Sequence, residues 1–432
     1  MNIIYIHSHD TGRYIQPYGY SVPTPNLMDL VREGILFRQA FCGGPTCSPS
    51  RAALLTGMAP HSNGMMGLAH LGFQLKDYNK HLVQFLNENG YETALAGIQH
   101  EAPETEMIGY NRLLGNPQVD MSQFDFDSES WDLNNANAAG QFILEKSENS
   151  RPFFLSFGLF NTHLNFPPTK QKHNPNYLVP PFPFYDNKQN REAMAGYMTS
   201  AEIMDQCIGI VLKATKEAGI EDNTIIIYTT DHGLPFPKMQ CNLYDTGIGV
   251  SLIIRTPEQL RKGEVEDALV SHIDLFPTIC DLTGLEKPDW LQGESLVPLL
   301  KREKTTIHEE VYSEVTYHAG YEPMRCIRTE RYKYIKFYDD HNRLVPINLD
   351  NSAIKTFLVD HGLLKQNRPN EMLFDLFLDP VERVNLANDQ NYQVIKTDLI
   401  NRLETWMKKT NDPLLQGKVP LPKNGKVLGG PA

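Results

Sequence analysis

Four short apolar runs constrain the fold of this chain more than any other feature of its sequence. They lie at residues 3–6, 152–157, 224–228 and 250–254. Continuous runs of β-branched and aromatic residues are typical of strands that are buried on both faces, as in a parallel sheet covered by helices. Helical patterns lie between them, at residues 26–33, 82–89 and 193–218, and Gly219 is placed to cap the last. The alternation predicts an α/β domain.

The pattern changes after about residue 305. Segments 311–316, 324–328, 332–337 and 371–377 predict antiparallel strands with polar turns, and an amphipathic helix at 392–408 is expected to cover them. The chain has 432 residues, more than a single core usually supports. We therefore predict an α/β domain over residues 1–305 and a smaller α+β domain over 306–432. We also expect a long surface loop at 167–190 and an extended arm at 413–432.

Composition excludes some classes of partner. The formal net charge of -12 argues against nucleic-acid binding, although a locally positive pocket can still hold an anion. No apolar run approaches the ~18 residues of a membrane helix. Without a basic, apolar leader the sequence favours a cytoplasmic protein, or a periplasmic or secreted one if a leader has been removed. The six scattered cysteines are expected to be free thiols.

One short motif points to a specific chemistry. Cys47-Ser48-Pro49-Ser50-Arg51 has the form C-x-P-x-R and continues into an Ala-Ala-Leu-Leu-Thr-Gly segment. It resembles the signature of type I sulfatases, in which the cysteine is oxidised to formylglycine. The resemblance implies a maturation enzyme and a hydrated aldehyde, of which one hydroxyl attacks sulfur and the other later expels sulfate. A serine has no equally simple way to release the sulfate.

Further segments extend the resemblance over most of the chain, most strongly to the N-sulfoglucosamine sulfohydrolase branch of these sulfatases. They are residues 47–57, 61–65, 231–237, 242–244, 323–325, 373–376 and 379–380. The resemblance implies an alkaline-phosphatase-like fold, with a large mixed sheet flanked by helices and a smaller C-terminal antiparallel sheet with a covering helix. Residues 1–305 would be the catalytic domain, and a homodimer is possible.

Two pairs of residues match the family's metal ligands. His9-Asp10 and Asp231-His232 each follow a predicted strand, and open α/β sheets bind ligands at the carboxyl ends of their strands. The resemblance implies one divalent metal held by these four residues and by the modified Cys47. We expect Ca²⁺ first, with Mn²⁺ or Zn²⁺ as alternatives because imidazole suits softer ions. The competing interpretation is that both aspartates are turn caps.

The resemblance also assigns acid–base and charge roles. His100 would help to deprotonate the diol, and His163 would protonate the leaving group, tasks that suit histidine near neutral pH. Arg51, expected on the first turn of a helix after Cys47, would bind the nucleophile and keep it deprotonated. Position does not distinguish His61, His70, His272 or His318 from structural histidines.

Two cations that the family usually carries are absent. Ile98 and Gln240 stand at their positions, so Lys238 is a candidate to supply charge from the same loop. We predict substrate binding by Lys238, Gln240, His318 and Arg325, with specificity from the 167–190 loop.

The sequence therefore predicts a sulfatase that cleaves a sulfated sugar, with N-sulfoglucosamine from heparin or heparan sulfate fragments as the first substrate. A carbohydrate O-sulfatase, a phosphonate or phosphate ester hydrolase and a non-catalytic sugar-binding homologue are the alternatives. The expected partners are a sulfated saccharide and the maturation enzyme, with no nucleic acid and no membrane.

Overall fold

A computed structural model describes residues 1–116, 127–146 and 151–430 of the chain. The strands are β1 (Asn2–Ser8), β2 (Ile35–Phe37), β3 (Ala40–Phe41), β4 (Glu92–Gly97), β5 (Arg112–Leu114), β6 (Phe153–Gly158), β7 (Thr224–Thr230), β8 (Leu252–Arg255), β9 (Glu264–Glu266), β10 (Val270–Ser271), β11 (Glu310–Tyr317), β12 (Tyr321–Thr329), β13 (Tyr332–Phe337) and β14 (Glu371–Asp375). The α-helices are α1 (Pro25–Glu33), α2 (Cys47–Thr56), α3 (Pro60–Asn63), α4 (Leu82–Glu88), α5 (Ser128–Lys146), α6 (Lys188–Glu217), α7 (Asp245–Ile248), α8 (Leu275–Thr283), α9 (Val297–Leu300), α10 (Ala353–Asp360) and α11 (Gln393–Lys409).

The large sheet has eight strands in the order β5-β4-β6-β1-β7-β8-β2-β9. Strands β5, β4, β6, β1 and β7 are parallel, whereas β8 runs antiparallel to both of its neighbours. The sheet is therefore mixed, which confirms the predicted fold class and corrects the expectation that all four apolar runs lie parallel. The run at 250–254 is the exception. A strand buried on both faces has the same continuous apolar pattern whether it pairs parallel or antiparallel, so the sequence does not reveal its direction.

Alternate residues of the central strands face two separate cores. Ile4 and Ile6 of β1 pack in one cluster with α1, α5 and α6. Ile3 and Tyr5 pack in the other with α2, α4 and α8. Helices thus cover both faces of the sheet, as the continuous apolar runs predict.

The small sheet has four antiparallel strands in the order β11-β12-β13-β14. Helix α11 covers it through Leu399, Leu403 and Met407, which share a cluster with Ile327 of β12 and Leu373 of β14. The antiparallel sheet and its covering helix are confirmed, and the boundary drawn at residue 305 stays a prediction.

The two irregular segments follow the expectations in part. The 167–190 segment contains only the short 3-10 turn Pro175–Tyr177 before α6 begins at Lys188. The final arm starts with the 3-10 turn Pro413–Gln416 and then lies along the protein, where Lys426 N–H donates to Leu71 O and Leu428 N–H donates to Ala319 O. Its residues 431–432 lie outside the described ranges. Across the described ranges, no helix combines the length and apolar character needed to cross a bilayer.

The parallel strands bring their carboxyl ends to one edge of the sheet. Ser8 of β1 is level with Thr230 of β7, and Gly158 of β6 is level with His7 and Gly97. The loops that follow β1, β4, β6 and β7 therefore open side by side. Helix α2 begins at this edge with Cys47 as its first residue.

Candidate active site

The predicted polar residues converge at the carboxyl edge of the large sheet. His9 and Asp10 follow β1, His100 follows β4, His163 follows β6, and Asp231 with His232 follows β7. This is where an open α/β sheet binds its ligands.

Asp231 is the most strongly fixed of these residues. Its Oδ1 accepts hydrogen bonds from the backbone N–H of Asp10 at 2.8 Å and of His232 at 2.9 Å. Its Oδ2 accepts from Arg51 Nη2 at 2.9 Å and from Arg51 Nε at 3.2 Å. Burial alone would raise its pKa, but His232 and Arg51 outweigh that effect and hold the pKa well below the usual range. The carboxylate is therefore charged.

Asp10 differs because one of its oxygens is left without a partner. Oδ1 lies 2.9 Å from His9 Nδ1 and 3.2 Å from His232 Nε2. Oδ2 is buried, and no described residue forms a hydrogen bond with it. Its backbone has a φ of 55°, a left-handed conformation that non-glycine residues adopt rarely. Burial raises the pKa of this carboxyl, and the opposing effects of His163 and His232 do not cancel that rise.

Cys47 lies 4% exposed at the start of α2, with its Sγ 3.6 Å from His232 Nε2. Burial raises the pKa of its thiol well above the usual value, and Asp10 and Asp231 add to the effect. A thiol reacts as the thiolate, so an unmodified Cys47 is a poor nucleophile here. The position therefore suits a residue that acts only after chemical conversion.

Arg51 lies on the second turn of α2, one turn later than expected, because the helix starts at Cys47 itself. Arg51 is buried, with 2% of the residue exposed. Its guanidinium forms an ion pair with Asp231 and donates a hydrogen bond to Ser8 O at 3.2 Å. It also contacts the Nδ1 of His7, a buried residue of β1 that the sequence did not single out. Arg51 thus orients Asp231, and its predicted contact with the nucleophile stays a prediction.

Two histidines, His9 and His100, form a connected pair beside the carboxylates. His9 Nδ1 lies 3.3 Å from Asp231 Oδ2, and His9 Nε2 lies 3.3 Å from His100 Nδ1. His100 has a φ of 101°, and its Nε2 is buried with no hydrogen-bond partner in the described part of the chain. Burial, reinforced by His9, lowers its pKa well below the usual value. His100 is therefore a neutral imidazole that can accept a proton.

His163 has the opposite electrostatic environment. Its Nε2 lies 3.8 Å from Asp10 Oδ2, and its Nδ1 contacts Leu164 O. Burial alone would lower the pKa of this imidazole, but Asp10 and then Asp350 outweigh burial and raise it. His163 is therefore suited to donate a proton.

The residues present fit a divalent cation. One ligand atom from each of His9, Asp10, Cys47 and Asp231 lies within 4.8 Å of the others, and all four residues are buried. His232 Nδ1 donates to Gly233 O at 3.0 Å, so its Nε2, which faces Asp10 and Cys47, is the ring nitrogen placed to bind an ion. Asp10 Oδ2, which forms no hydrogen bond with the described residues, is an oxygen that such an ion would bind.

The predicted substrate-binding residues lie in three different environments. His318 is buried, and burial lowers its pKa to about 4, with Asp350 and His232 as its principal charged neighbours. Lys238 is exposed, has a φ of 65°, and lines a cavity of about 240 Å³ together with Asn348 and Leu349, the two residues that precede Asp350. Gln240 is buried. Arg325 is fully buried, and its Nε donates a hydrogen bond to Asp412 Oδ2 at 2.6 Å. Its substrate-binding role stays a prediction.

Three histidines that the sequence did not distinguish from structural residues, His61, His70 and His272, have different environments. His70 is exposed as a whole residue, but its ring is partly enclosed, and this enclosure together with His163 lowers its pKa. His272 lies beneath the site, where Nε2 contacts Thr229 Oγ1 at 2.9 Å and Nδ1 contacts Ser50 Oγ at 3.4 Å. His61 pairs with Glu314 in a separate buried cluster.

Sequence reasoning missed Asp350. One of its carboxylate oxygens lies within 4.8 Å of ligand atoms of both Asp10 and His163. It comes from the loop between β13 and α10, and nothing in Leu349-Asp350-Asn351-Ser352 distinguishes it from an ordinary turn.

Two family models match the chain. The sulfatase model matches residues 1–285, and the C-terminal model of N-sulphoglucosamine sulphohydrolase matches residues 232–362. Human N-sulphoglucosamine sulphohydrolase is 28% identical over 473 residues, with 95% of this chain and 91% of the human protein covered. An ulvan-active sulfatase of Formosa agariphila is 29% identical over 439 residues, with 98% of this chain and 82% of the relative covered.

Solved structures share the fold. A 2-O glycosaminoglycan sulfatase superposes with a TM-score of 0.71 at 23% identity, covering 97% of this chain and 94% of that chain. A protein in complex with its substrate D-glucosamine-2-N,6-O-disulfate superposes with a TM-score of 0.73 at 20% identity, covering 97% of this chain and 99% of that chain.

The fold and the family matches together define a hydrolase that acts on sulfate groups. The chain belongs to the sulfatase family, whose model covers residues 1–285 of its 432. Members of this family generally use a metal ion and a formylglycine, for which the cluster around Cys47 supplies candidate ligands.

Proposed function

We propose that this sulfatase removes the sulfate group of N-sulfoglucosamine from heparin or heparan sulfate fragments. The observation that carries the proposal is the match of residues 232–362 to the C-terminal model of N-sulphoglucosamine sulphohydrolase. This range contains the predicted substrate-binding residues Lys238, Gln240, His318 and Arg325, and also Asp350, whose carboxylate lies within 4.8 Å of ligand atoms of Asp10 and His163. The 28% identity to the human enzyme supports it further.

Asp10, Asp231 and His232 would hold a divalent metal together with residue 47, and His9 Nδ1 lies close enough to join them. Two carboxylates favour Ca²⁺, and the imidazoles make Mn²⁺ or Zn²⁺ the alternatives. A bound ion supplies positive charge for the sulfate and lowers the pKa of an attacking oxygen. Formylglycine at position 47 would supply that oxygen as one hydroxyl of its hydrate.

The chain's own residues supply the proton transfers. His163, with its raised pKa, donates a proton to the departing nitrogen, because an amine leaves poorly unless it is protonated. His100, held neutral by burial, accepts the proton of the hydrate's second hydroxyl as sulfate departs. Arg51 keeps Asp231 charged and in place through its two hydrogen bonds.

The direct test is a desulfation assay on matured enzyme. Mass spectrometry of the peptide that contains residue 47 first establishes the aldehyde, and the enzyme is then loaded with Ca²⁺, Mn²⁺ or Zn²⁺ in turn. We expect sulfate release from N-sulfoglucosamine and little from glucosamine 6-O-sulfate. A Cys47→Ala protein prepared in parallel is the control for contaminating sulfatases. Release from the 6-O-sulfate alone would overturn the N-sulfate assignment.

The second candidate is a carbohydrate O-sulfatase, which the 29% identity to an ulvan-active sulfatase favours. The same assay separates the two, since an O-sulfatase would cleave the 6-O-sulfate or another sugar O-sulfate and leave the N-sulfate intact. The Asp231-His232 pair motivates one further comparison, with phosphate and phosphonate esters. Faster turnover of those esters than of any sulfate would replace both candidates.

A further inference from the structure

Asp350 is a charged residue at the candidate site that helps to raise the pKa of His163 but has no direct contact role in the proposed chemistry. Its carboxylate lies within 4.8 Å of ligand atoms of Asp10 and His163, yet it is half-buried rather than enclosed. No described residue donates a hydrogen bond to it or forms an ion pair with it. A carboxylate in this position repels the sulfate that the site must hold, so its presence needs a compensating role.

The loop holds Asp350 firmly in this position. On one side, Asn348 Oδ1 accepts from Gly320 N–H at 2.7 Å, and Asn348 Nδ2 donates to Glu322 at 3.0 Å. On the other side, Ser352 caps α10 by accepting from Lys355 N–H at 3.1 Å. The Asp350 carboxylate is therefore presented by a loop whose neighbouring residues are tied down.

The nearby cation does not neutralise Asp350. Lys355 Nζ donates to Leu349 O at 2.5 Å and to Asn351 Oδ1 at 3.0 Å, so this ammonium secures the loop backbone. Asp350 consequently keeps its hydrogen-bonding capacity for something that enters the site. The available donors of a sugar are its hydroxyl groups, which carboxylates bind through charge-assisted hydrogen bonds.

We propose that Asp350 is a specificity-determining residue that accepts a hydrogen bond from a hydroxyl of the sugar bearing the scissile sulfate and disfavours a second sulfate on that sugar. The inference rests on the proposed function and adds a substrate preference to it. Because like charges about 8 Å apart near a protein surface repel appreciably, a second sulfate should lower kcat/KM about tenfold or more.

The test compares N-sulfoglucosamine with glucosamine N,6-O-disulfate as substrates of the matured, metal-loaded enzyme. We expect the wild type to prefer the monosulfate. Asp350→Asn should lower kcat/KM for the monosulfate about tenfold, the effect of losing a hydrogen bond to a charged group, and should bring the two substrates close to parity. Asp350→Ala should lose at least as much on the monosulfate.

Asp360→Asn is the matched control. It removes the same charge from the exposed end of α10, roughly 12 Å along the helix from the Ser352 cap. It should leave both the rates and the substrate ratio unchanged, which separates a local contact from a general effect of net charge. Melting temperature and bound metal, measured for every variant, should match the wild type.

Two results would overturn the inference. One is an unchanged substrate ratio in Asp350→Asn, and the other is loss of bound metal, which would make Asp350 a ligand. If the wild type releases no N-sulfate at all, the proposed function fails instead. The same variants are then compared on glucosamine 6-O-sulfate and the disulfate, with release from the 6-position measured, so the role of Asp350 is still decided.

Discussion

Two buried clusters in this protein contain the same kinds of side chain, and only one of them is built to receive a ligand. The candidate site combines histidines, aspartates and Arg51. The second cluster combines His61, Glu314, Arg325 and Asp412, and three of these also have the spacing of metal ligands. Residue type and burial therefore do not distinguish them.

The difference is the number of carboxylate oxygens that the protein itself satisfies. In the second cluster Arg325 donates to Asp412 at 2.6 and 3.0 Å, and its remaining nitrogen donates to Val315 O and Met324 O. Glu314 accepts from the backbone N–H and the ring of His61. In the candidate site Asp10 Oδ2 has no such partner within the described residues. In the second cluster every carboxylate oxygen has a partner, and this closed network holds β11 and β12 to the segment that follows α11. The candidate site is open, because an oxygen of Asp10 is left to bind an ion.

The largest expected effect is at residue 47. Cys47→Ala should reduce kcat about 10⁶-fold, as removal of a nucleophile does elsewhere, with an unchanged melting temperature because only a small buried group is lost. Sulfate release by matured wild type and variant measures it. Turnover that survived in the variant would contradict a nucleophile at this position.

Asp10→Asn tests the open cluster directly. We expect loss of the bound divalent ion and about a 10³-fold fall in kcat/KM, since a metal contributes several kcal/mol to the stabilisation of charge. Stability of the metal-free protein should change little, because burial already disfavours the charged form of Asp10 and asparagine is a neutral side chain of the same size. Metal analysis and urea unfolding provide the two readouts. Full metal content in the variant would remove Asp10 from the ligand set.

Asp412→Asn tests the closed cluster and should have the opposite pattern. Leaving Arg325 buried with one partner fewer should lower the free energy of unfolding by about 3 kcal/mol, while kcat of the folded fraction stays unchanged. Asp398→Asn is the control, because its pair with Arg402 involves a carboxylate 62% exposed and should contribute about 0.5 kcal/mol or less. Equal losses in the two variants would argue against the buried network.

The pH dependence of kcat/KM should reflect the contrast between His163 and His100. A raised pKa keeps His163 protonated at neutral pH, so activity should fall up to tenfold per unit as pH rises through that pKa, above 6.5. His100, with its pKa lowered, should stay neutral and cause loss only well below pH 6.5. Rates measured between pH 5 and 9 test both limbs. In His163→Ala the loss of activity at high pH should disappear. If that loss persists in the variant, another group is the general acid.

The smallest effect is expected at Lys238, an exposed cation two residues before Gln240, one of the two positions where a usual basic residue is replaced. Lys238→Met should raise KM about threefold to tenfold with little change in kcat, and it should weaken the dependence of KM on salt. Lys304→Met, which removes an exposed cation from the segment before β11, should change neither quantity. Identical behaviour of the two variants would exclude Lys238 from substrate binding.

Sequence predicted the parts of this molecule that local patterns determine. The apolar runs gave β1, β6 and β7, and the rule that ligands lie at the carboxyl ends of strands brought Asp10 next to Asp231. Strand β4 was missed because Ala and Gly in Glu92–Gly97 have weak strand propensity. The start of α2 was placed too late because Thr46, Ser48 and Ser50 are all capping residue types.

Contacts between residues far apart in the sequence could not be predicted from it. The motif around Arg325 does not reveal that its guanidinium meets Asp412, a residue 87 positions away. Asp350 likewise reaches Asp10 across 340 residues of sequence, and its turn has no distinguishing pattern. The first contact depends on how the chain after α11 packs on the small sheet, and the second depends on how the loop before α10 reaches the edge of the large sheet. No local signal in the sequence encodes either arrangement.

The burial of Cys47 has a consequence for the order of events during synthesis. Helix α2 is enclosed by later parts of the chain, since Ser50 hydrogen-bonds to Asp231 O at 2.5 Å and approaches His272 at 3.4 Å. An enzyme cannot reach a side chain 4% exposed, so the proposed oxidation of Cys47 would have to occur while the chain is still open. At typical translation rates the 225 residues between Cys47 and His272 take roughly 10–45 s to appear, which sets the time available to a cotranslational maturation enzyme. The yield of active protein should therefore depend on the speed of the ribosome as well as on the amount of that enzyme.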